Sequence, residues 1–136
     1  MIKALIDTNI VLDALAAREP FRVEAERIFI LAAEEKFQGF VTANSITDIY
    51  YLVRKNTSEA MAREALRNLF QVFAVVEIHG DDCEHALESP IADYEDALVA
   101  RCASKVDAEY IITRDEDFLL EQSPVPVVTP AEFLKI

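Results

Sequence analysis

Four aspartates occupy positions at which a parallel sheet brings chemical groups together. Asp7 follows the first strand-like segment, and Asp48 and Asp96 fall in the first turns of two predicted helices. Asp115 follows a later strand-like segment. Because ligands bind beyond the carboxyl ends of parallel strands, where the next helices begin, we expect these carboxylates to meet at one edge of the sheet. They are the candidate catalytic residues.

Clustered carboxylates repel one another and are tolerated mainly when a cation neutralises them. An all-oxygen set without histidine or cysteine favours Mg²⁺ or Mn²⁺ over Zn²⁺. Such an ion promotes the hydrolysis of phosphate esters, because it activates water and stabilises the charge of the transition state.

A helix cap is the simpler interpretation of any one such acidic residue taken alone, since the N-cap residue and the third helical residue often hydrogen bond to each other's backbone. The pairs with this spacing are Ser45 with Asp48, Asp93 with Asp96, and Thr113 with Glu116. Capping does not explain why four separate junctions each supply a carboxylate. Their convergence therefore favours a metal site.

Short β-rich segments alternate with longer segments of helical period, which is typical of a parallel sheet covered by helices. The predicted strands cover residues 2–6, 37–42, 72–78, 110–113 and 125–128. The predicted helices cover residues 8–15, 21–35, 45–56, 58–68, 81–88 and 93–106, and a capping box starts another at Thr129. No linker or repeat divides the chain, so we predict a single α/β domain over residues 1–136.

The net charge is −12, from 25 acidic and 13 basic residues, and it argues against binding nucleic acid or membranes by bulk attraction. The excess lies late in the chain, since residues 76–136 hold 15 acidic and 4 basic side chains. No apolar segment has the roughly 20 residues of a transmembrane helix, and no signal peptide precedes the first strand. We expect a soluble, cytoplasmic protein in which Cys83 and Cys102 are free thiols.

Four segments together resemble the motifs of the PIN-domain family, in the family's order and over nearly the whole chain. They are residues 5–12 (LIDTNIVL), 45–53 (SITDIYYLV), 94–98 (YEDAL) and 112–118 (ITRDEDF). The resemblance implies a three-layer α/β/α sandwich with a central parallel sheet. It also implies a Mg²⁺- or Mn²⁺-dependent endoribonuclease, because short members are commonly VapC-like toxins that a cognate antitoxin inhibits.

The same resemblance implies roles for individual residues. Asp7, Asp48, Asp96 and Asp115 would form the acidic set, and the metal ligands would be Asp7, Asp96 and Asp115. Auxiliary roles would fall to Thr8, Asn9, Asp93, Thr113 and Asp117. The second motif usually has glutamate, so Asp48, one methylene shorter, leaves open a weakened module that binds RNA or protein without cleavage. A phosphohydrolase with Asp7 as nucleophile is a further alternative, although Asn9 stands where its second acid is expected.

An RNA substrate requires positive charge near the acidic set. The candidates are Arg54, Lys55, Arg63, Arg67 and Arg114. On the fourth predicted helix these cations alternate with glutamates, so an ordinary solvated helix face is an equal alternative. Several aromatic side chains fall at core spacing, and we expect them to pack in the core. The alternative is that an exposed subset of them provides the face of a homodimer, the assembly that we expect.

Overall fold

A parallel five-stranded sheet forms the centre of the computed structural model, which describes residues 1–136. The strands lie in the order β3-β2-β1-β4-β5, so the first strand is central. Their bounds are β1 Lys3–Ile6, β2 Gln38–Thr42, β3 Phe73–Val76, β4 Tyr110–Ile112 and β5 Val127–Val128. The register pairs Leu5 of β1 with Phe40 of β2, and Ile6 with Ile112 of β4.

Eight helices connect and cover the strands. They are α1 Thr8–Leu15, α2 Arg22–Ala33, α3 Ser45–Asn56, α4 Glu59–Val72, α5 Gly80–Leu87, α6 Tyr94–Lys105, α7 Glu116–Leu119 and α8 Pro130–Phe133. Pro130 opens α8 behind the Thr129 and Glu132 capping box, as the sequence predicts. None of the helices is long and apolar enough to cross a membrane.

Two apolar cores, one on each face of the sheet, confirm the three-layer α/β/α architecture. Alternate residues of β1 point to opposite faces, so Ala4 and Ile6 join one core and Leu5 joins the other. The first core packs against α1 to α4 and α8, and the second against α5 to α7. Burying each large aliphatic side chain contributes about 1.5–3 kcal/mol, which fixes the helices against the sheet.

The structure corrects the boundary between the fourth helix and the third strand. The β-branched residues around Val72 predict a strand from that position, but α4 continues to Val72 and the Phe73 N–H still donates to the Leu69 carbonyl. Pairing with β2 starts only at Phe73, opposite Gly39. The apolar period that buries Ala62 and Leu69 continues through this turn, so packing overrides local strand propensity.

Candidate active site

The carboxyl ends of β1 and β4 lie side by side and place Asp7 next to Thr113. The Asp7 N–H donates to the Ile112 carbonyl at 2.9 Å, which extends the pairing of the two strands by one residue. Thr113 is fully buried and Asp7 is 7% exposed. The first candidate acid is therefore held by the sheet itself.

Three groups hydrogen bond to the Asp7 carboxylate. The Thr113 hydroxyl donates to Oδ2 at 2.8 Å, the Thr8 N–H donates to Oδ1 at 2.9 Å, and the Asn9 amide lies 3.4 Å from Oδ2. Burial nevertheless raises the pKa of Asp7, and the negative charges of Asp115 and Asp93 raise it further. The site therefore gains from a cation beside this carboxylate.

A polar cavity of about 260 Å³ lies beyond these strand ends. Its walls are formed by Asp7, Thr8, Asn9, Leu12, Arg18, Asp93, Glu95, Asp96 and Asp115. A second cavity, of about 400 Å³, shares Thr8 and Leu12 with the first and contains Asp48 and Lys55. The structure thus brings Asp7, Asp96 and Asp115 to one cavity and places Asp48 on the wall of the adjoining one.

The first turn of α6 supplies Glu95 and Asp96 to the cavity wall, and Asp93, which caps this helix, lines the same wall. Asp93 caps the helix as predicted, because its Oδ1 accepts the Asp96 N–H at 3.0 Å. Asp96 is 7% exposed, and burial together with repulsion from Asp93, Asp7 and Asp115 raises its pKa to about 7. Its carboxyl can therefore exchange a proton for a cation near neutral pH.

Glu95 was missed as a candidate by sequence reasoning, which singled out its neighbour Asp96. It lines the same cavity, and its pKa is raised by removal of water and then by the charges of Asp7, Asp48 and Asp93. Glu95 is thus close to Asp7 and Asp93 of its own cavity and to Asp48 of the adjoining cavity. The signal available in the sequence was the position of Glu95 in the first turn of the helix, and its neighbour Asp96 has the same position.

Asp115, rather than Asp117, lines the cavity. Asp115 caps the short helix α7, where its Oδ1 accepts the Asp117 N–H at 3.0 Å, and its own N–H donates to the Thr113 hydroxyl at 3.1 Å. The predicted cap from Thr113 to Glu116 is wrong, because the Thr113 hydroxyl faces Asp7 instead. The predicted cap from Ser45 to Asp48 is also wrong, because the Ser45 hydroxyl donates to the Thr42 carbonyl.

A sequence model of the PIN domain matches residues 3–117, which is most of the chain. The chain belongs to the PIN-domain family. No curated protein matches this PIN domain by sequence. Solved structures do match it, and they confirm the resemblance to VapC toxins and the α/β fold.

Three of these structures illustrate the likeness. VapBC2 from Rickettsia felis, bound to a DNA fragment from its promoter, is 14% identical with a TM-score of 0.69, over 94% of this chain and 98% of that one. Mycobacterium tuberculosis VapC20, a Sarcin-Ricin loop cleaving toxin, is 18% identical with a TM-score of 0.67, over 85% and 92%. A toxin-antitoxin complex from Klebsiella pneumoniae is 26% identical with a TM-score of 0.68, over 93% and 97%.

The donors of this PIN-domain cavity fit a hard divalent cation. Its titratable lining consists of five carboxyl groups and one cation, Arg18, without histidine or cysteine. Oxygen donors with uncompensated negative charge are the ligands of Mg²⁺ and Mn²⁺. In this structure no three acidic, histidine or cysteine side chains are grouped tightly enough to hold an ion together, so one ion that contacts all three aspartates requires them to move inward.

The cations predicted to contact RNA fall into three groups in this PIN domain. Arg54 and Lys55 are exposed at the end of α3, and Lys55 lines the cavity of Asp48. Arg63 and Arg67 pair with Glu59 and Glu64 on the same helix, at 3.1 and 3.2 Å. Arg114 is turned towards a buried carboxylate of α1. The structure therefore leaves Arg54 and Lys55 the most available.

Proposed function

We propose that this PIN domain is a Mg²⁺- or Mn²⁺-dependent endoribonuclease, the toxin of a type II toxin–antitoxin pair. The observation that carries the proposal is the cavity in which Asp7, Asp96 and Asp115 meet within a fold shared with VapC toxins. The described activity of the M. tuberculosis relative, cleavage of the Sarcin-Ricin loop, supports RNA as the substrate class.

In the proposed mechanism Asp7, Asp96 and Asp115 would hold the metal ion. The ion, when bound, supplies a Lewis acid and lowers the pKa of water enough for attack on a phosphodiester. Thr113, Thr8 and Asn9 keep the Asp7 carboxylate oriented through their hydrogen bonds. We propose that Arg18, the cation of the cavity wall, contacts a phosphate of the substrate.

Glu95 extends the acidic set towards Asp48. The second motif usually supplies glutamate, whereas Asp48 is one methylene shorter. Glu95 lines the cavity of Asp7, and the charges of both Asp7 and Asp48 contribute to raising its pKa. We propose that Asp48 and Glu95 together perform the role of that glutamate. Asp93 acts by capping the start of α6, where it accepts the Asp96 N–H. Asp117 acts at the start of α7, where its N–H donates to the Asp115 carboxylate.

A basic segment of an antitoxin fits the acidic cavity as an inhibitor. The net charge of −12 and the carboxylates of the cavity attract such a segment by complementary charge. The K. pneumoniae relative is itself described as a toxin-antitoxin complex. We further propose a cytoplasmic homodimer, in which the exposed aromatic side chains Phe21, Tyr51 and Phe70 supply part of the contact.

Incubation of the purified protein with labelled single-stranded RNA tests the proposal. We expect cleavage with Mg²⁺ or Mn²⁺ and none with EDTA. The alternative, a weakened module that binds without cutting, is favoured by the short Asp48 and by the absence of a preformed three-ligand group. RNA that shifts in a gel yet stays intact with every divalent metal would support that alternative and contradict the nuclease.

Removal of the exposed cations at the end of α3 should weaken RNA binding in a salt-dependent way. In an inactive Asp7→Asn background, the Arg54→Ala and Lys55→Ala double variant should make the negative slope of log affinity against log salt shallower by about 1.4, since each phosphate contact with a single strand contributes about −0.7. The matched control is the Arg63→Ala and Arg67→Ala variant, whose cations already pair with glutamates. Equal slopes for both double variants would remove the proposed role of Arg54 and Lys55.

A further inference from the structure

Asp13 is a fully buried carboxylate on α1, outside the cavity. The Arg114 guanidinium binds it in a bidentate manner, with Nε donating to Oδ2 at 2.6 Å and the terminal nitrogen NH2 donating to Oδ1 at 3.0 Å. Arg18 of the cavity wall lies 3.9 Å from the same carboxylate. Planar bidentate pairs fix the relative orientation of the two groups more strictly than single contacts do.

Arg114 lies between Thr113, which hydrogen bonds to Asp7, and Asp115, which lines the cavity. The guanidinium carbon of Arg114 lies 3.8 Å from the centre of the Phe21 ring, and the backbone nitrogen of Arg114 lies 3.5 Å from the Asn9 side-chain oxygen. The turn after β4 is therefore attached to α1 through the side chain and the backbone of one residue. We therefore expect a change in this attachment to move Asp115 relative to Asp7.

We propose that Asp13 is a positioning residue of the active site, which acts through Arg114 to hold Asp115 at the metal-binding cavity. The inference rests on the proposed function of that cavity. It assigns the Arg114 side chain to this attachment rather than to RNA. Asp13 itself does not line the cavity and contacts no reacting group.

A matched control exists in the second core, where Asp82 is equally buried. Asp82 accepts hydrogen bonds from Arg101 at 3.0 Å and Lys105 at 2.6 Å, and it is absent from the cavity wall. The His79 N–H and Lys105 hold the pKa of Asp82 well below its usual range. Neutralising either buried aspartate removes the charge partner of cations that are only partly exposed, so Asp13→Asn and Asp82→Asn should both destabilise the fold.

Two measurements on the wild type and both variants separate positioning from stability. The first is NMR hydrogen exchange at the Asp115 and Asp117 amides, which hydrogen bond within the turn. The second is Mn²⁺ affinity by calorimetry. We expect faster exchange and an affinity at least roughly 10-fold lower in Asp13→Asn alone, the size of effect typical of groups that orient metal ligands. If Asp13→Asn does not fold, Arg114→Lys takes its place in the experiment. This variant keeps the charge but loses the bidentate geometry, so we expect the same faster exchange and weaker Mn²⁺ binding.

The outcomes distinguish the inference from the proposed function. If the wild type binds no Mn²⁺, the proposed metal site fails, while the exchange rates still decide whether Asp13 holds the turn. If the wild type binds Mn²⁺ and Asp13→Asn binds it equally well, the positioning role is overturned. Equal changes in Asp13→Asn and Asp82→Asn overturn it as well, because they reflect stability alone.

Discussion

An Asp7→Asn variant is expected to lose metal-dependent RNA cleavage by at least about 100-fold while it keeps its fold. This loss exceeds the roughly 10–100-fold effect of groups that only orient ligands, because the substitution removes a proposed ligand itself. The amide can still accept the Thr8 N–H at the start of α1, since asparagine is a good N-cap. Steady-state cleavage of labelled RNA and circular dichroism measure the two parts of this prediction.

Asp107→Asn is the matched control for that experiment. Asp107 is exposed and precedes β4, at the opposite edge of the sheet from the cavity. Its φ of 57° lies in the left-handed region, which asparagine also adopts readily. This control should cleave RNA at the wild-type rate, and a fully active Asp7→Asn variant would contradict the assignment of Asp7.

Thermal stability should depend on metal and pH together. Burial and neighbouring carboxylates raise the pKa of Asp96 from 3.8 to about 7, so without metal the folded state binds more protons than the unfolded state between these values. Stability should then fall by up to about 4 kcal/mol as pH rises from about 4 to about 7, and level off above that pH. At about pH 8, Mg²⁺ at one hundred times its Kd should increase the free energy of unfolding by about 2.7 kcal/mol.

Differential scanning calorimetry with EDTA and with millimolar Mg²⁺ measures this coupling. The Mg²⁺-induced rise in Tm should disappear at about pH 5, where Asp96 is protonated, because the proton and the ion compete for the same carboxylate. In Asp96→Asn the contribution of this carboxyl to the fall between about pH 4 and pH 7 should be absent, which leaves only the contributions of Asp7 and Glu95. A wild-type Tm that responds neither to pH nor to Mg²⁺ would contradict an acidic metal site.

The parts of the site that depend on local pattern could be predicted from the sequence. Asp7 and Asp115 follow short apolar strands, and parallel strands end at a common edge, so their meeting requires only the fold class. Asp93 could be placed as a cap because it and Asp96 are three residues apart. The same spacing led to a wrong cap at Ser45, whose hydroxyl instead donates to the Thr42 carbonyl.

Contacts between distant segments could not be predicted from local pattern. The hydrogen bond from Thr113 to Asp7 joins residues 106 positions apart, and the pair of Arg114 with Asp13 spans 101 positions. Both depend on the pairing of β1 with β4, which sequence periodicity does not reveal. Arg114 was therefore a candidate RNA contact by its position beside the acids, whereas its guanidinium is directed to α1.

A crystal soaked with Mn²⁺ and measured by anomalous diffraction tests the central claim most directly. The predicted result is an anomalous peak in the cavity of Asp7, Asp96 and Asp115, with oxygens of all three carboxylates turned towards one ion. A peak elsewhere on the protein, or none, would contradict a metal-dependent nuclease and favour the binding module.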